Sequence, residues 1–137
     1  MALIHLDAGV IIGFLDGNDA HHAAALSMLT DALHDGDRLA MATSAFAECL
    51  VGPSRRGNVE IRRVQDLFER LPITIVPLDA ESAVIAARLR AQHRTLRLPD
   101  ALVIATAVAG AADELVTTDR KWPTAKVLKV KTKVTHL

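Results

Sequence analysis

Short apolar runs alternate with longer amphipathic stretches along the whole chain. Ala2 to Leu6 is brief, apolar and closed by Asp7, the pattern of a buried strand. Gly9 to Leu15 is a second apolar segment, a helix that Asp7 can cap and in which Gly9 and Gly13 permit close packing. A turn at Asp16-Gly-Asn-Asp19 precedes His21 to Leu33, where Ala24, Ala25, Met28, Leu29 and Leu33 recur at helical spacing. Asp35-Gly-Asp37 ends that helix, and Leu39 to Ala42 reads as the next strand. Thr43-Ser44 offers an N-cap for a short helix, Ala45 to Val51, that Gly52-Pro53 should stop. A basic loop at Arg55-Arg-Gly57 leads to a helix from Val59 to Leu71, with Ile61, Val64, Leu67, Phe68 and Leu71 turned inward. Ile73 to Val76 is a third strand closed by Pro77, and Asp79 caps a helix reaching about Gln92. Leu98 to about Gly110 is an apolar, Ala-rich helix with Pro99 and Asp100 in its first turn. There a missing N–H is harmless and a carboxylate meets the positive end of the helix dipole. Glu114 to Thr117 is a fourth strand, and Val127-Leu128 is the candidate for a fifth.

Strands in alternation with helices predict an α/β fold with a mainly parallel sheet between helices. At 137 residues the expectation is a single domain, 1–137, with no linker, repeat or low-complexity segment. Half the residues are hydrophobic and 23% are charged, which excludes a disordered chain. No apolar run is long enough to span a bilayer. The first residues lack a basic region ahead of an apolar one, so no signal peptide is expected. The lone Cys49 excludes an internal disulfide and fits a reducing cytoplasm.

The formal net charge of zero conceals an asymmetry. Residues 1–50 hold seven acids and one base, whereas residues 51–137 hold nine acids and fifteen bases. Between Ser82 and Pro99 there are four arginines (Arg88, Arg90, Arg94 and Arg97) and no acid, and from Arg120 onward there are six bases and no acid. Such runs either track a phosphate backbone or are solvated helix faces and a basic tail.

Four acids stand at the ends of apolar elements: Asp7 after the first strand, Glu48 in the short helix, Asp100 at a helix start and Asp119 after Leu115-Val-Thr-Thr118. In open parallel sheets, ligands gather outside the carboxyl ends of the strands. Asp7 and Asp119 fall there directly, and the helices carrying Glu48 and Asp100 can bring them alongside. Crowded carboxylates repel one another, so a cation is needed to hold them together. An all-oxygen set without a convergent Cys or His cluster suits Mg²⁺ or Mn²⁺, ions able to orient a phosphodiester and activate water. Thr117 and Thr118 either orient a carboxylate or water in such a site or are ordinary strand residues.

The arrangement Ile4-His-Leu-Asp7, Thr-Ser-Ala-Phe-Ala-Glu48, Leu-Arg-Leu-Pro-Asp-Ala-Leu-Val-Ile-Ala-Thr-Ala107 and Leu-Val-Thr-Thr-Asp119 resembles a PIN domain. More narrowly, it resembles the VapC-type toxins of bacterial type II toxin–antitoxin (VapBC) pairs, over essentially the whole chain. The resemblance implies a three-layer α/β/α fold and a Mg²⁺- or Mn²⁺-dependent endoribonuclease. It also implies a homodimer and inhibition by a cognate VapB-type antitoxin whose C-terminal segment wraps the toxin. The family's four acids fall on Asp7, Glu48, Asp100 and Asp119; the first three would hold the principal ion and Asp119 would complete the pocket. One departure is that Ala8 and Gly9 stand where the family often has Ser or Thr, so a hydroxyl near the metal must come from Thr117 or Thr118 or be missing.

On this reading Arg55, Arg56, Arg88, Arg90, Arg94 and Arg97 are the candidates for holding RNA phosphates. The helix from Val59 to Leu71 is ordinary core, part of an antitoxin groove or a dimer face. Adjacent His21 and His22 cannot grip one ion from a single helix face. His5 reads as a packed or partner-facing residue, Cys49 as a small core hydrophobe, and Trp122 as a residue that pins the chain after Asp119. With three Phe, one Trp and no Tyr, an aromatic platform for bases is not expected. Two other readings compete. One is a phosphatase or phosphotransfer domain with Asp7 as nucleophile, which Ala8-Gly9 disfavours because no second Asp follows. The other is a non-catalytic PIN-like module that binds nucleic acid or protein.

Overall fold

The computed structural model describes residues 1–137. Its elements run β1 (Leu3–Leu6), α1 (Ala8–Leu15), α2 (His22–His34), β2 (Arg38–Ala42), α3 (Thr43–Arg56), α4 (Asn58–Arg70), β3 (Ile73–Val76), α5 (Ala80–Gln92), α6 (Leu98–Ala109), β4 (Glu114–Thr117), α7 (Ala125–Leu128) and β5 (Lys133–His136). Every strand pairing is parallel, and the sheet order is β3-β2-β1-β4-β5. The chain winds outward from β1 through β2 to β3, then crosses back to lay β4 on the other side of β1. The β1/β4 seam is therefore the topological switch point, where open parallel sheets leave a crevice beyond their carboxyl ends.

Parallel strands covered on both faces read as near-continuous apolar runs, and Leu39-Ala-Met-Ala42 and the buried Leu115-Val-Thr117 follow that rule. The core packs the sheet against the helices, with Leu6, Ile11, Met41, Ile104 and Leu115 fully buried. Helix α6 runs through this core, with Ala101 and Val103 to Ala107 all buried, which explains its lack of a polar face.

Local chemistry sets several boundaries as expected. Asp79 caps α5 by accepting from the Ser82 amide at 2.8 Å, and Pro99 lies in the first turn of α6. Elsewhere the structure corrects the reading. Helix α3 does not stop at Gly52-Pro53 but continues to Arg56, and Gly57, at φ 121°, ends it. Pro53 is buried inside α3, beside a groove that Ile12 and Leu15 of α1 also line, and its burial accompanies the override of the local breaker signal. Arg55 and Arg56 are consequently the last turn of a helix rather than a loop. Thr43-Ser44 does not cap α3: Ala42 stands at the cap, and the Thr43 hydroxyl instead donates to the Val76 carbonyl at 2.9 Å. Val127-Leu128 is not a strand. It belongs to the single helical turn α7, started by Thr124 and closed by Lys129 at φ 56°. The fifth strand is the more polar Lys133–His136, an edge strand whose residues are at most half-buried. In α2 the buried stripe is Ala25, Leu29 and Ala32, while Ala24 and Leu33 face outward. In α4 only Val64 and Phe68 are buried, with the Phe68 ring 4.8 Å from that of Phe46 on α3.

Candidate functional site

Asp7 follows directly on β1 and caps α1. Its Oδ1 accepts from the Ala8 amide at 2.9 Å. Its Oδ2 accepts from the Thr117 hydroxyl at 2.8 Å, reaching across the β1/β4 seam. The Thr117 oxygen in turn accepts the Asp119 amide at 3.0 Å. One hydroxyl thus links the two acids that follow neighbouring parallel strands. Thr118 is placed differently. Its hydroxyl lies against Gly9, where an added Cβ would sit 2.0 Å from Oγ1, so the first turn of α1 can approach β4 only because residue 9 has no side chain.

Beyond the strand ends opens a cleft of about 410 Å³, lined by Glu48, Thr95, Leu96, Arg97, Pro99, Asp100, Asp119, Lys121 and Trp122. Three of the four predicted acids therefore share one wall-to-wall space, delivered by α3, α6 and the turn after β4. Asp7 is not on its lining and is only 8% exposed.

The electrostatics show that the four acids sense one another. Burial pushes the Asp7 carboxyl up to about 6. The Thr117 and Ala8 hydrogen bonds oppose that rise, while the charges of Glu48 and Asp100 add to it. Glu48 is raised by partial burial and then by Asp100, against the pull of Arg97. Asp100 is raised by burial and by Asp119, and Trp122 and Arg97 hold it down. Burial, with Asp7 and Glu48 nearby, drives the Cys49 thiol up to about 12, so it is a neutral core residue and no nucleophile at neutral pH.

No three His, Cys, Asp or Glu side chains converge closely enough to grip one ion directly. The chemistry of the donors nevertheless fits a hard divalent cation. All are carboxylate oxygens, and their like charges destabilise one another in the way a cation relieves.

The cations distribute unevenly. Of the six arginines predicted to hold phosphates, only Arg97 lines the cleft; it precedes α6. Arg88 and Arg90 stand two apart on α5, on different faces of the helix, and Arg94 is in the α5–α6 connection. Arg55 is exposed at the end of α3, and Arg56 lines a neighbouring groove of about 380 Å³ with Ile12, Leu15 and Pro53, into which Glu48 also faces. The sequence reading missed Lys121 and Thr95 as cleft residues. Lys121 carried a signal, two positions after Asp119, and its amide donates to Asp119 Oδ1 at 2.9 Å.

A PIN-domain family model matches residues 4–128. Among solved structures, the chain is similar to the VapBC-1 structure from nontypeable Haemophilus influenzae, with a TM-score of 0.74 and 16% identity, covering 98% of this chain and 97% of that one. It is similar to VapBC2 from Rickettsia felis, solved bound to a DNA fragment from their promoter, with a TM-score of 0.72 and 16% identity over 98% of each chain. It is also similar to VapC20 from Mycobacterium tuberculosis, described as a sarcin–ricin loop cleaving toxin, with a TM-score of 0.68 and 13% identity over 95% of this chain and 98% of that one. No curated protein matches the chain by sequence.

Proposed function

The chain belongs to the PIN-domain family, and we propose that it is a Mg²⁺- or Mn²⁺-dependent endoribonuclease, the toxin of a type II toxin–antitoxin pair. The observation that carries this reading is the shared cleft at the sheet's switch point, with Glu48, Asp100 and Asp119 around it and Asp7 electrically coupled to two of them. Asp7, Glu48 and Asp100 would hold the ion, with Asp119 completing the acidic wall. When bound, the ion supplies Lewis-acid activation of a phosphodiester and lowers the pKa of water.

The chain's own residues do the rest. Thr117 and the Ala8 amide fix both oxygens of Asp7, so this ligand is oriented before anything binds. Arg97 and Lys121 place two positive charges on the rim of the same cleft, suited to phosphates flanking the one attacked. The Thr117 hydroxyl on Asp7 supplies the contact that Ala8 and Gly9 cannot make. A cognate VapB-type antitoxin and a second copy of the chain are the partners this reading carries. The half-exposed face of α4 and the mixed groove at Ile12, Leu15, Pro53 and Arg56 are surfaces available to them.

The test is cleavage of an RNA pool by the chain purified away from any partner, with Mn²⁺, Mg²⁺ or EDTA, beside Asp100→Asn shown to be folded. Metal-dependent products absent from the variant are expected. Products that persist in the variant, or none with either ion from a partner-free protein, would count against the nuclease.

A further inference from the structure

Trp122, the chain's single tryptophan, has a role beyond packing. It is 4% exposed and lines the acidic cleft, and its Nε1 is shut off from solvent without a hydrogen-bond partner. An indole N–H can only donate, and leaving such a group buried and unpaired is unfavourable. A residue that merely pinned the chain would need no N–H, since Phe fills much the same space.

The acceptors on that wall are few. Asp119 Oδ1 is engaged by the Lys121 amide, which leaves that carboxyl one free oxygen, and Glu48 lies at the exposed rim. Neither oxygen of Asp100 accepts a hydrogen bond within ordinary geometry. The backbone of Trp122 is meanwhile held in place, its amide donating to the Asp119 carbonyl at 3.3 Å and Pro123 restricting it from the other side.

We infer that Trp122 is the positioning residue of Asp100, its indole N–H held for one carboxylate oxygen so that the other is presented to the cation. The inference rests on the proposed cation site. Trp122 and Asp100 share the wall of one cleft, where the indole N–H is without a partner and both Asp100 oxygens are free to accept. Outer partners of this kind orient metal-binding carboxylates, and their loss typically weakens metal affinity 10–100-fold.

Two measurements on the full chain test it. In ¹⁵N-labelled, metal-free protein a single indole N–H resonance is expected, shifted by Asp100→Asn but little changed by Glu48→Gln. Thermal melts against Mn²⁺ should then give a dissociation constant about tenfold weaker for Trp122→Phe, whose urea midpoint reports packing separately. An indole resonance indifferent to Asp100→Asn overturns the inference even in the absence of metal. So does a Trp122→Phe variant with wild-type Mn²⁺ affinity. If the wild type gains no stability from Mn²⁺ while the indole still responds to Asp100→Asn, the cation site itself falls and the Trp122–Asp100 contact survives it.

Discussion

The Thr117 hydroxyl donates to Asp7 Oδ2 over 2.8 Å while accepting the Asp119 amide at 3.0 Å, so one side chain on β4 holds acids that are 112 positions apart in the chain. Thr117 is fully buried, so neither bond is easily replaced by water. Thr117→Val keeps the shape and removes both bonds. The expected result is a loss of about 1–3 kcal/mol in urea unfolding and a 10–100-fold loss in Mn²⁺ affinity. Thr117→Ser should restore most of each. A valine variant that binds Mn²⁺ as well as wild type would remove Thr117 from the site.

Metal binding should appear as stability. A ligand held only by the folded state adds about 2.7 kcal/mol at one hundred times its dissociation constant. Mn²⁺ is therefore expected to raise the melting temperature of the wild type. Asp100→Asn should melt at or above the wild-type temperature in EDTA, since one repelling charge is gone, and gain little from Mn²⁺. Equal gains in both proteins would detach Asp100 from the ion.

The pH dependence of the metal-free protein separates two buried groups of opposite sign. Asp7 titrates near 6 when folded against 3.8 when unfolded, so the folded state holds the extra proton between these values. Stability then falls as pH rises through the window, by about 3 kcal/mol. His5, buried and lowered to about 4 from 6.5, works the other way: the unfolded state holds the extra proton, and stability falls as pH drops from 6.5 to 4. Asp7→Asn removes the first effect. Relative to wild type it should be more stable above pH 6, with the advantage shrinking toward pH 4, and its remaining slope should combine His5 with the opposing contributions of the raised Glu48 and Asp100. Parallel urea-midpoint curves for the two proteins in EDTA would contradict this.

Gly9 and Thr118 should prove coupled. Gly9→Ala places a methyl 2.0 Å from the Thr118 hydroxyl oxygen and is expected to cost about 1–3 kcal/mol. Adding Thr118→Ala removes that oxygen and should recover much of the loss, with a coupling energy above about 0.5 kcal/mol in a double-mutant cycle. Additive effects would mean that the helix relaxes away from β4 instead.

Only two cations border the cleft, which makes RNA binding selective among the basic residues. In an Asp100→Asn background, Arg97→Glu and Lys121→Glu should each weaken binding of uncleaved RNA and lower the slope of log affinity against log salt by about 1. Arg88→Glu and Arg90→Glu, on different faces of α5, should change both far less. Equal effects at all four positions would show diffuse attraction rather than a cleft-bound strand.

Much of this protein was settled locally. Apolar runs closed by acids and prolines placed four of the five strands, and helical spacing placed the main helices, because burial of one face imposes its period on the sequence. The acids at the element ends marked Asp7, Glu48, Asp100 and Asp119 as the chemistry-bearing set, and their types alone argued for a hard cation. Tertiary structure decided what local signals could not. Pro53 stays inside α3, buried beside a groove that α1 also lines, and β5 falls on a more polar segment because an edge strand has a neighbouring strand on one side only. Arg97 and Lys121 flank the acids while Arg88 and Arg90 do not, since proximity to the cleft depends on where the chain crosses from β3 to β4. The Thr117–Asp7 bond and the Trp122 indole facing the acids likewise required the fold. Each joins groups distant along the chain, and a contact of that kind leaves no periodicity in the residues between.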